Sequence, residues 1–351
     1  MVEGLNRKRN SNIELLRIIA MLFIITSHSY VHGIGLGTVS EISINNIILD
    51  WFVLGNLGVD IFVIISGYFM CGRMDSRRNL GKLLSQVWFY SVLCFAVYLI
   101  YTRNLSSVNM DNLWTVIFPT IFTEYWFFTA YIVMLLLTPY INIIFEKTGE
   151  KEYKELLIIM VFMWCIIPTF TENEMYGSEI PQFIMLYAIG GYFRKCSENI
   201  LQKKSVRYLA VIVSCIVMMI SAMQEETTDK LMLYERNALT TIVCATGLFG
   251  MALYSRPYSN SFINRVAGCT FGIYLFHDNP FIRKILWTDW MPNYLHINSV
   301  YLIPRIILSI LVIFICCTVI ELIRQKIFAG KMTKVMNDII NNIKMLVNRF
   351  I

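Results

Sequence analysis

The residues best suited to chemistry in this sequence are ionisable side chains inside apolar stretches. The segment NIELLRIIAMLFIITSHSYVHG holds Glu14, Arg17 and His28, which are the only ionisable groups from residue 13 to residue 31. In a helix these three side chains fall within about 60° of one face, with His28 about 16 Å beyond Arg17 along the axis. A histidine can act as a general base near neutral pH. The alternative is an interfacial Glu14–Arg17 ion pair with a structural His28.

Two further apolar segments carry polar groups that could line a substrate cavity. GNLGVDIFVIISGYFM contains Asp60, and GCTFGIYLFHDNPFIR contains Tyr274, His277 and Asp278. Ionisable residues inside membrane helices are costly and often functional. Asp60, Tyr274 and His277 are therefore candidate substrate-binding residues. A helix-packing interface with one paired aspartate, and a structural His277–Asp278 pair, remain the alternatives.

The segment EYWFFTAYIVMLLLTPYIN begins with aromatic residues at the edge of an apolar run. Tyr125 and Trp126 are candidate substrate contacts. Tyrosine and tryptophan are also enriched at the membrane–water interface, so anchoring in an aromatic belt explains the same pattern.

A densely basic loop, CGRMDSRRNLGKLL, follows the second apolar segment. Arginine forks match the geometry of phosphate oxygens, so this loop could bind a phosphate-rich cofactor. Anionic lipid headgroups and the general excess of basic residues in cytoplasmic loops explain the same composition. The candidate cofactor-binding residues are Ser66, Arg73, Arg77 and Arg78.

The elements that must position these residues are membrane-spanning helices. The chain is 56% hydrophobic and only 15% charged, whereas a soluble domain is about 25% charged. A helix needs about 20 mostly apolar residues to cross the bilayer. Such stretches predict ten spans, with 112–123 as a re-entrant or interfacial piece and a short, broken or tilted sixth span containing Gly190 and Gly191. The predicted spans are 13–32, 47–70, 83–101, 126–145, 155–171, 181–194, 206–223, 237–255, 266–287 and 299–323.

The distribution of lysine and arginine predicts that both termini are cytoplasmic. With the N-terminus inside, all but six of the 30 basic residues lie at the inner face. The predicted regions are a cytoplasmic tail (1–12), a transmembrane domain (13–323) and a basic amphipathic tail (324–351), in which 331–351 favours a helix on the inner leaflet. The fold class is an all-α, polytopic membrane bundle.

The same composition argues against several kinds of partner. The basic residues lie between apolar runs rather than along one soluble face, so we expect no nucleic-acid partner. The nine cysteines form no CxxC pair, and most lie inside apolar runs as small hydrophobic residues. We therefore expect neither a disulfide nor a metal site.

Four segments together resemble the acyltransferase-3 family of integral membrane O-acyltransferases, which modify cell-surface sugars. They are Arg17-x10-His28 with Glu14 three residues earlier, GNLGVDIFVIISGYF at 55–69, Tyr-Trp-Phe-Phe at 125–128 with Pro139, and GIYLFH at 272–277. The resemblance covers residues 12 to about 323, with the family's usual arrangement of ten spans.

The resemblance implies a reaction and a set of roles. Acyl-CoA, with acetyl-CoA as the expected form, would be the cytoplasmic donor, no cofactor would be permanently bound, and a carbohydrate hydroxyl would be the acceptor. His28 looks like the catalytic histidine, as general base or acyl carrier, with Arg17 and Glu14 as its motif partners. Arg77 and Arg78 fall where family members hold the CoA phosphates, although the family's arginine spacing is only loosely kept.

The resemblance also implies a multi-pass protein of the bacterial cytoplasmic membrane that acts in polysaccharide or exopolysaccharide O-acetylation, beside other polysaccharide-biosynthesis proteins. Some relatives carry an extracellular serine-hydrolase-like domain. This chain has no segment of that kind after its last span, so we expect transfer to finish in the membrane domain or on a separate protein.

A transporter or flippase of a glycan or glycan precursor is the alternative function, because the same buried polar residues could line a pathway. A transporter would distribute such groups over many helices, whereas here they concentrate in the first, second and ninth spans. A glycan polymerase is a weaker third choice, since large outer loops would be expected.

Overall fold

The computed structural model describes residues 9–34, 55–73, 76–122, 124–171, 179–223, 233 and 235–348, without the side chains at 76, 78 and 347. Within these ranges the regular structure is helical, and no strand occurs. The helices of the first half are α1 (Ser11–Val31), α2 (Gly55–Met70), α3 (Leu80–Thr102), α4 (Met110–Ile117), α5 (Trp126–Lys147) and α6 (Glu150–Thr171), which includes a π-helical turn at Phe162–Ile166.

The second half continues with helices of very different lengths. They are α7 (Glu179–Lys195), α8 (Lys204–Met223), α9 (Leu239–Leu253), α10 (Ser261–Ala267), α11 (Thr270–His277), α12 (Pro280–Lys284) with a π-helical turn at Ile285–Trp290, α13 (Leu302–Ile327) and α14 (Ala329–Val347).

Six helices among the described residues are long and apolar enough to cross a membrane: α1, α3, α5, α6, the Lys204–Ser221 part of α8, and α13. The apolar helices α2 and α9 are shorter. The prediction of an all-helical membrane protein is therefore confirmed. The count of ten spans and the cytoplasmic placement of both ends stay predictions. Residues 47–54 of the predicted second span lie outside the described residues.

Two details of the predicted spans are wrong. The sixth was expected to be broken or tilted; it is not broken, because α7 is one continuous helix that includes both glycines, and its tilt stays a prediction. The ninth (266–287) is not one helix, because α11 ends at His277 and α12 begins at Pro280. Proline cannot donate the backbone hydrogen bond that would continue a helix, but it suits a first helical position. Asn279 caps the new helix by accepting a hydrogen bond from the amide of Phe281 (2.9 Å).

The chain folds into two compact units. The first unit comprises Met1–Ser27, Ile42–Cys71 and Ile144–Thr270. In it α2 packs against α7 and α9, and α8 packs against α9. The α2–α7 packing depends on two glycines, since a Cβ at Gly67 would collide with the carbonyl of Tyr187 and one at Gly190 with the carbonyl of Ile64. Small residues of this kind allow close packing of membrane helices.

This close packing makes Gly67→Ala destabilising. The added methyl group would meet backbone atoms, which cannot rotate away, and such overpacking typically costs about 1–3 kcal/mol. We expect a lower melting temperature of the purified protein in detergent, measured by thermal unfolding. The matched control is Gly330→Ala in α14, where a Cβ meets no atom within 4 Å. Equal melting temperatures for the two variants would contradict the packing described here.

The second unit comprises His28–Glu41, Gly72–Ile143 and Phe271–Ile351. In it α3 packs against α4, α12 and α14, and α13 packs against α14. A buried carboxylate links α13 to α3, because Glu321 accepts hydrogen bonds from Tyr90 Oη (2.7 Å), Gln86 Nε2 (3.2 Å) and Arg324 Nε (2.7 Å). A buried ion pair is tolerated when its polar atoms are satisfied in this way. The basic tail predicted to be helical forms α14.

Candidate active site

Five polar side chains of the second unit come together around the break between α11 and α12. His28 lies near the end of α1, and His32 follows in the next turn. His277 is the last residue of α11, Asp278 lies in the break, and Arg283 is in α12. Because α11 stops at residue 277, the side chains of its last residue and of the break are both available to His28.

The two histidines define each other's protonation. His28 Nδ1 lies 3.0 Å from His277 Nε2, and His277 Nδ1 lies 2.7 Å from the carbonyl oxygen of Ile273. A carbonyl only accepts hydrogen bonds, so Nδ1 of His277 carries a proton and donates it. The Nε2 of neutral His277 is then an acceptor, and Nδ1 of His28 must donate to it. The lone pair of neutral His28 therefore lies on its Nε2.

Asp278 is positioned to stabilise positive charge on His28. Its Oδ1 lies 3.4 Å from His28 Nδ1 and 3.6 Å from His32 Nε2, and its side chain is only 1% exposed. Arg283 Nη2 and Nε donate to the same oxygen at 2.9 and 3.0 Å. The positive charge of Arg283 therefore balances the negative charge of Asp278 while His28 is neutral. When His28 gains a proton, the carboxylate is already beside it.

His28 is partly accessible. Its side chain is 17% exposed and that of His32 is 23% exposed, whereas His277 is completely buried. In the part of the chain that the structure describes, no hydrogen bond to His28 Nε2 is formed. The nitrogen that carries the lone pair is thus free to meet a substrate, and the arrangement can support general-base chemistry.

A second set of buried groups holds the break in place. Glu124 accepts hydrogen bonds from Asn279 Nδ2 (2.6 Å) and Ser91 Oγ (2.7 Å). Asn279 also donates to the hydroxyl of Tyr125 (2.7 Å), which donates to the carbonyl of Leu275 (2.9 Å). These bonds fix the residue that directly follows Asp278.

The structure brings several predicted site residues to this region. His277 contacts His28 directly, and the ring of Tyr274, which is buried, lies 6.4 Å from the ring of His277. Tyr125 is fully buried, and its hydroxyl makes the two hydrogen bonds described above. Trp126 is half-buried at the start of α5. Their predicted roles in substrate binding stay predictions.

Other predicted residues belong to the first unit. Arg17 Nη1 lies 3.1 Å from Glu14 Oε2, and the Arg17 guanidinium lies 5.6 Å from the centre of the Phe69 ring. Asp60 is fully buried, with its Oδ1 3.5 Å from Gln182 Nε2. Ser66 Oγ donates to the carbonyl of Phe62 (2.9 Å). The Glu14–Arg17 ion pair expected from their spacing is therefore present.

The predicted phosphate-binding arginines follow α2 in the basic loop. The guanidinium of Arg77 lies 5.3 Å from the centre of the Tyr140 ring, and the carbonyl of Arg73 accepts a hydrogen bond from Asn142 Nδ2 (3.0 Å). The side chain of Arg78 lies outside the described part of the structure.

The histidine cluster also has the composition of a metal site. His28, His32 and Asp278 each offer one ligand atom, and these atoms lie within 4.8 Å of one another. Imidazole and carboxylate ligands suit zinc. Arg283, however, already supplies a positive charge at the same carboxylate oxygen. The absence of a metal expected from the sequence stays a prediction.

Sequence reasoning did not assign roles to Asp278, Arg283 or His32. Asp278 was noted only as part of a structural pair with His277. His32 follows His28 at i,i+4, a spacing that puts two side chains on one helix face and that could have signalled a cluster. The contact between His28 and His277 joins residues 249 positions apart, and no local pattern in the sequence reveals it.

Comparisons with known proteins identify a family. A family model described as an acyltransferase domain, that of the acyltransferase-3 family, matches residues 10–322. A search of curated proteins and a search of solved structures found no match to the chain.

Proposed function

The chain belongs to the acyltransferase-3 family, and from this premise we propose that it transfers an acyl group, most simply acetyl, from acyl-CoA to a carbohydrate hydroxyl. The membership and the apolar helices support a multi-pass membrane acyltransferase. The observation that carries the finer proposal is the hydrogen-bond chain from His28 through His277 to the carbonyl of Ile273. This chain places the lone pair of neutral His28 on its Nε2, which supports a role for this nitrogen as the base.

In the proposed reaction His28 handles one proton. Its Nε2 takes the proton of the acceptor hydroxyl, and the hydroxyl oxygen attacks the thioester carbonyl of acyl-CoA. The tetrahedral intermediate then collapses, its carbon–sulfur bond breaks, and the CoA sulfur leaves with the proton from Nε2. The carboxylate of Asp278 stabilises the imidazolium formed in between, and His277 holds the His28 ring in the productive tautomer.

The geometry favours a general base over an acyl carrier. An acyl carrier would have to bond the acyl carbon through Nε2, and the transfer would then need a second base to activate the acceptor. The candidates for that second base among the described residues are His277, which is completely buried, and His32, whose Nε2 lies 3.6 Å from Asp278 Oδ1. Direct transfer needs His28 alone.

The acceptor and the setting follow from the family's known role. We propose a hydroxyl of a cell-surface or exported carbohydrate as acceptor, in the bacterial cytoplasmic membrane, beside polysaccharide-biosynthesis proteins. In the second unit, Tyr125, Trp126, Tyr274 and His277 are proposed as residues that bind the acceptor. Asp60 belongs to the first unit, and its predicted role in substrate binding stays a separate proposal.

On the donor side we propose that Arg77, with Arg73 and Arg78, binds the phosphates of CoA. The predicted donor-side roles of Ser66, Arg17 and Glu14, which belong to the first unit, stay separate proposals. Arg77→Ala should raise the KM for acyl-CoA about tenfold or more and leave kcat nearly unchanged, because a charge-assisted hydrogen bond is typically worth about 1.5–3 kcal/mol. Steady-state kinetics with varied acetyl-CoA checks this. A suitable control is Lys151→Ala, an exposed cation near the start of α6. An unchanged KM in Arg77→Ala would show that the loop anchors lipid instead.

Label transfer tests the function itself. Membranes that contain the protein, and matched membranes that lack it, are incubated with radiolabelled acetyl-CoA and extracted cell-surface glycan. We expect protein-dependent label in the glycan that mild alkali releases, as it releases an ester. Label that appears equally in both membranes would contradict the proposal.

A further inference from the structure

A polar cavity in the first unit lies where α8 begins and α9 ends. Its volume is about 250 Å³, and it is lined by Lys204, Arg207, Tyr208, Met251, Tyr254 and Ser255. Two of these residues are cations and none of them is acidic. The N-terminus of α8 lies at the same place, because Lys204 is its first residue. A helix N-terminus carries partial positive charge, which adds to the charge of the side chains.

Arg207 is a buried cation in the lining of this cavity. It is only 7% exposed, and its Nη1 donates to the carbonyls of Leu201 and Gln202, both at 2.7 Å. Its Nε is buried without a hydrogen-bond partner among the residues that the structure describes. In the same described part of the chain no carboxylate forms an ion pair with it. Burying a charge is costly unless it is paired, so an anion is expected here.

Among the described residues, the groups beside Arg207 position its guanidinium but do not neutralise its charge. Its guanidinium lies 5.4 Å from the centre of the Tyr254 ring. Gly250 leaves room for its methylene stem, since a Cβ there would be 3.2 Å from Cδ of Arg207. Lys204 lies 5.6 Å from the ring of Tyr208 and is exposed. The planar guanidinium of Arg207 is buried, and the ammonium group of Lys204 is flexible. Together these two groups suit an anion with several oxygen atoms.

We propose that this cavity binds a phosphate group. The group could belong to an anionic phospholipid headgroup or be free inorganic phosphate, since both present the same oxygens to Arg207 and Lys204. The site is separate from the histidine cluster, which belongs to the other unit, and it does not depend on the proposed reaction.

Binding measurements on the full-length protein in a neutral detergent test the proposal. The two probes are short-chain phosphatidylglycerol and inorganic phosphate, and dissociation constants are measured for wild type, Lys204→Gln and Lys203→Gln. Lys203 is the matched control, because it is exposed and adjacent but does not line the cavity. We expect one probe to bind about tenfold more weakly to Lys204→Gln, as the loss of one charge-assisted contact implies, and with unchanged affinity to Lys203→Gln.

The probe that shows this pattern identifies the source of the phosphate. Arg207→Lys keeps the positive charge but loses the planar guanidinium, so this variant should also bind the probe more weakly. Its melting temperature is measured to show that the variant folds. The proposal is overturned if neither probe binds, or if Lys203→Gln and Lys204→Gln weaken binding equally. Because no acyl transfer is measured, this outcome is distinct from a failure of the proposed enzymatic function.

Discussion

His28→Ala is expected to lower acyl transfer about 10²–10⁴-fold, because general-base catalysis commonly contributes that much. The protein should still accumulate in the membrane and bind acyl-CoA, since His28 is partly exposed and its removal leaves only His277 Nε2 without a donor. The measurement is the rate of label transfer from acetyl-CoA to glycan per amount of protein in the membrane.

The matched control for this change is His296→Ala. His296 is a half-buried histidine in the turn Asn293–His296, outside the cluster, so its removal should leave the rate near that of wild type. A structural His28 would produce the opposite pattern, with poor accumulation and activity in proportion to the surviving protein. A His28→Ala protein that accumulates normally and transfers at the wild-type rate would refute the mechanism.

Asp278→Asn should lower kcat about 10²-fold while leaving the KM values little changed. The amide keeps the shape of the carboxylate but removes the charge that stabilises protonated His28, and it leaves Arg283 without its anionic partner. Charged hydrogen bonds of this kind are typically worth about 1.5–3 kcal/mol, and a buried charge left unpaired costs more. Steady-state kinetics of the purified protein measures the effect.

A double variant separates positioning from stability. If Asp278 acts through His28, adding Asp278→Asn to His28→Ala should cause little further loss, because groups that act as a unit are not additive. Asp289→Asn, an exposed aspartate in the neighbouring π-helical turn, serves as the control. Multiplicative losses in the double variant would assign Asp278 a structural role instead.

Features of the fold that depend on residues close together in the sequence could be predicted, whereas contacts between distant residues could not. Apolar length and low charge are local properties, so they identified the membrane helices, and the helical spacing of apolar residues likewise predicted the amphipathic helix α14. The i,i+3 spacing likewise predicted the Glu14–Arg17 ion pair. The break in the ninth predicted span was not anticipated, although Asn279 and Pro280 are a recognisable helix start. The apolar stretch 266–287 is long enough for one membrane span, so the helix start at Asn279 and Pro280 was not interpreted as a break.

The candidate site was only partly predictable for the same reason. His28 was identified by its type and its place inside an apolar helix, and His277 by the same argument. Their contact, and the tautomer that it fixes, join residues 249 positions apart, and no spacing in the sequence indicates such a contact. Arg283 was given no role, because no local pattern in the sequence shows that it pairs with Asp278.

The central claim of the mechanism is that His28 takes a proton from the acceptor rather than carrying the acyl group. Rapid quenching of the purified protein mixed with radiolabelled acetyl-CoA, with and without glycan acceptor, tests it most directly. The mechanism predicts that CoA is released only when acceptor is present and that no label is attached to the protein. A burst of CoA release without acceptor, together with labelled wild-type protein and unlabelled His28→Ala protein, would contradict it.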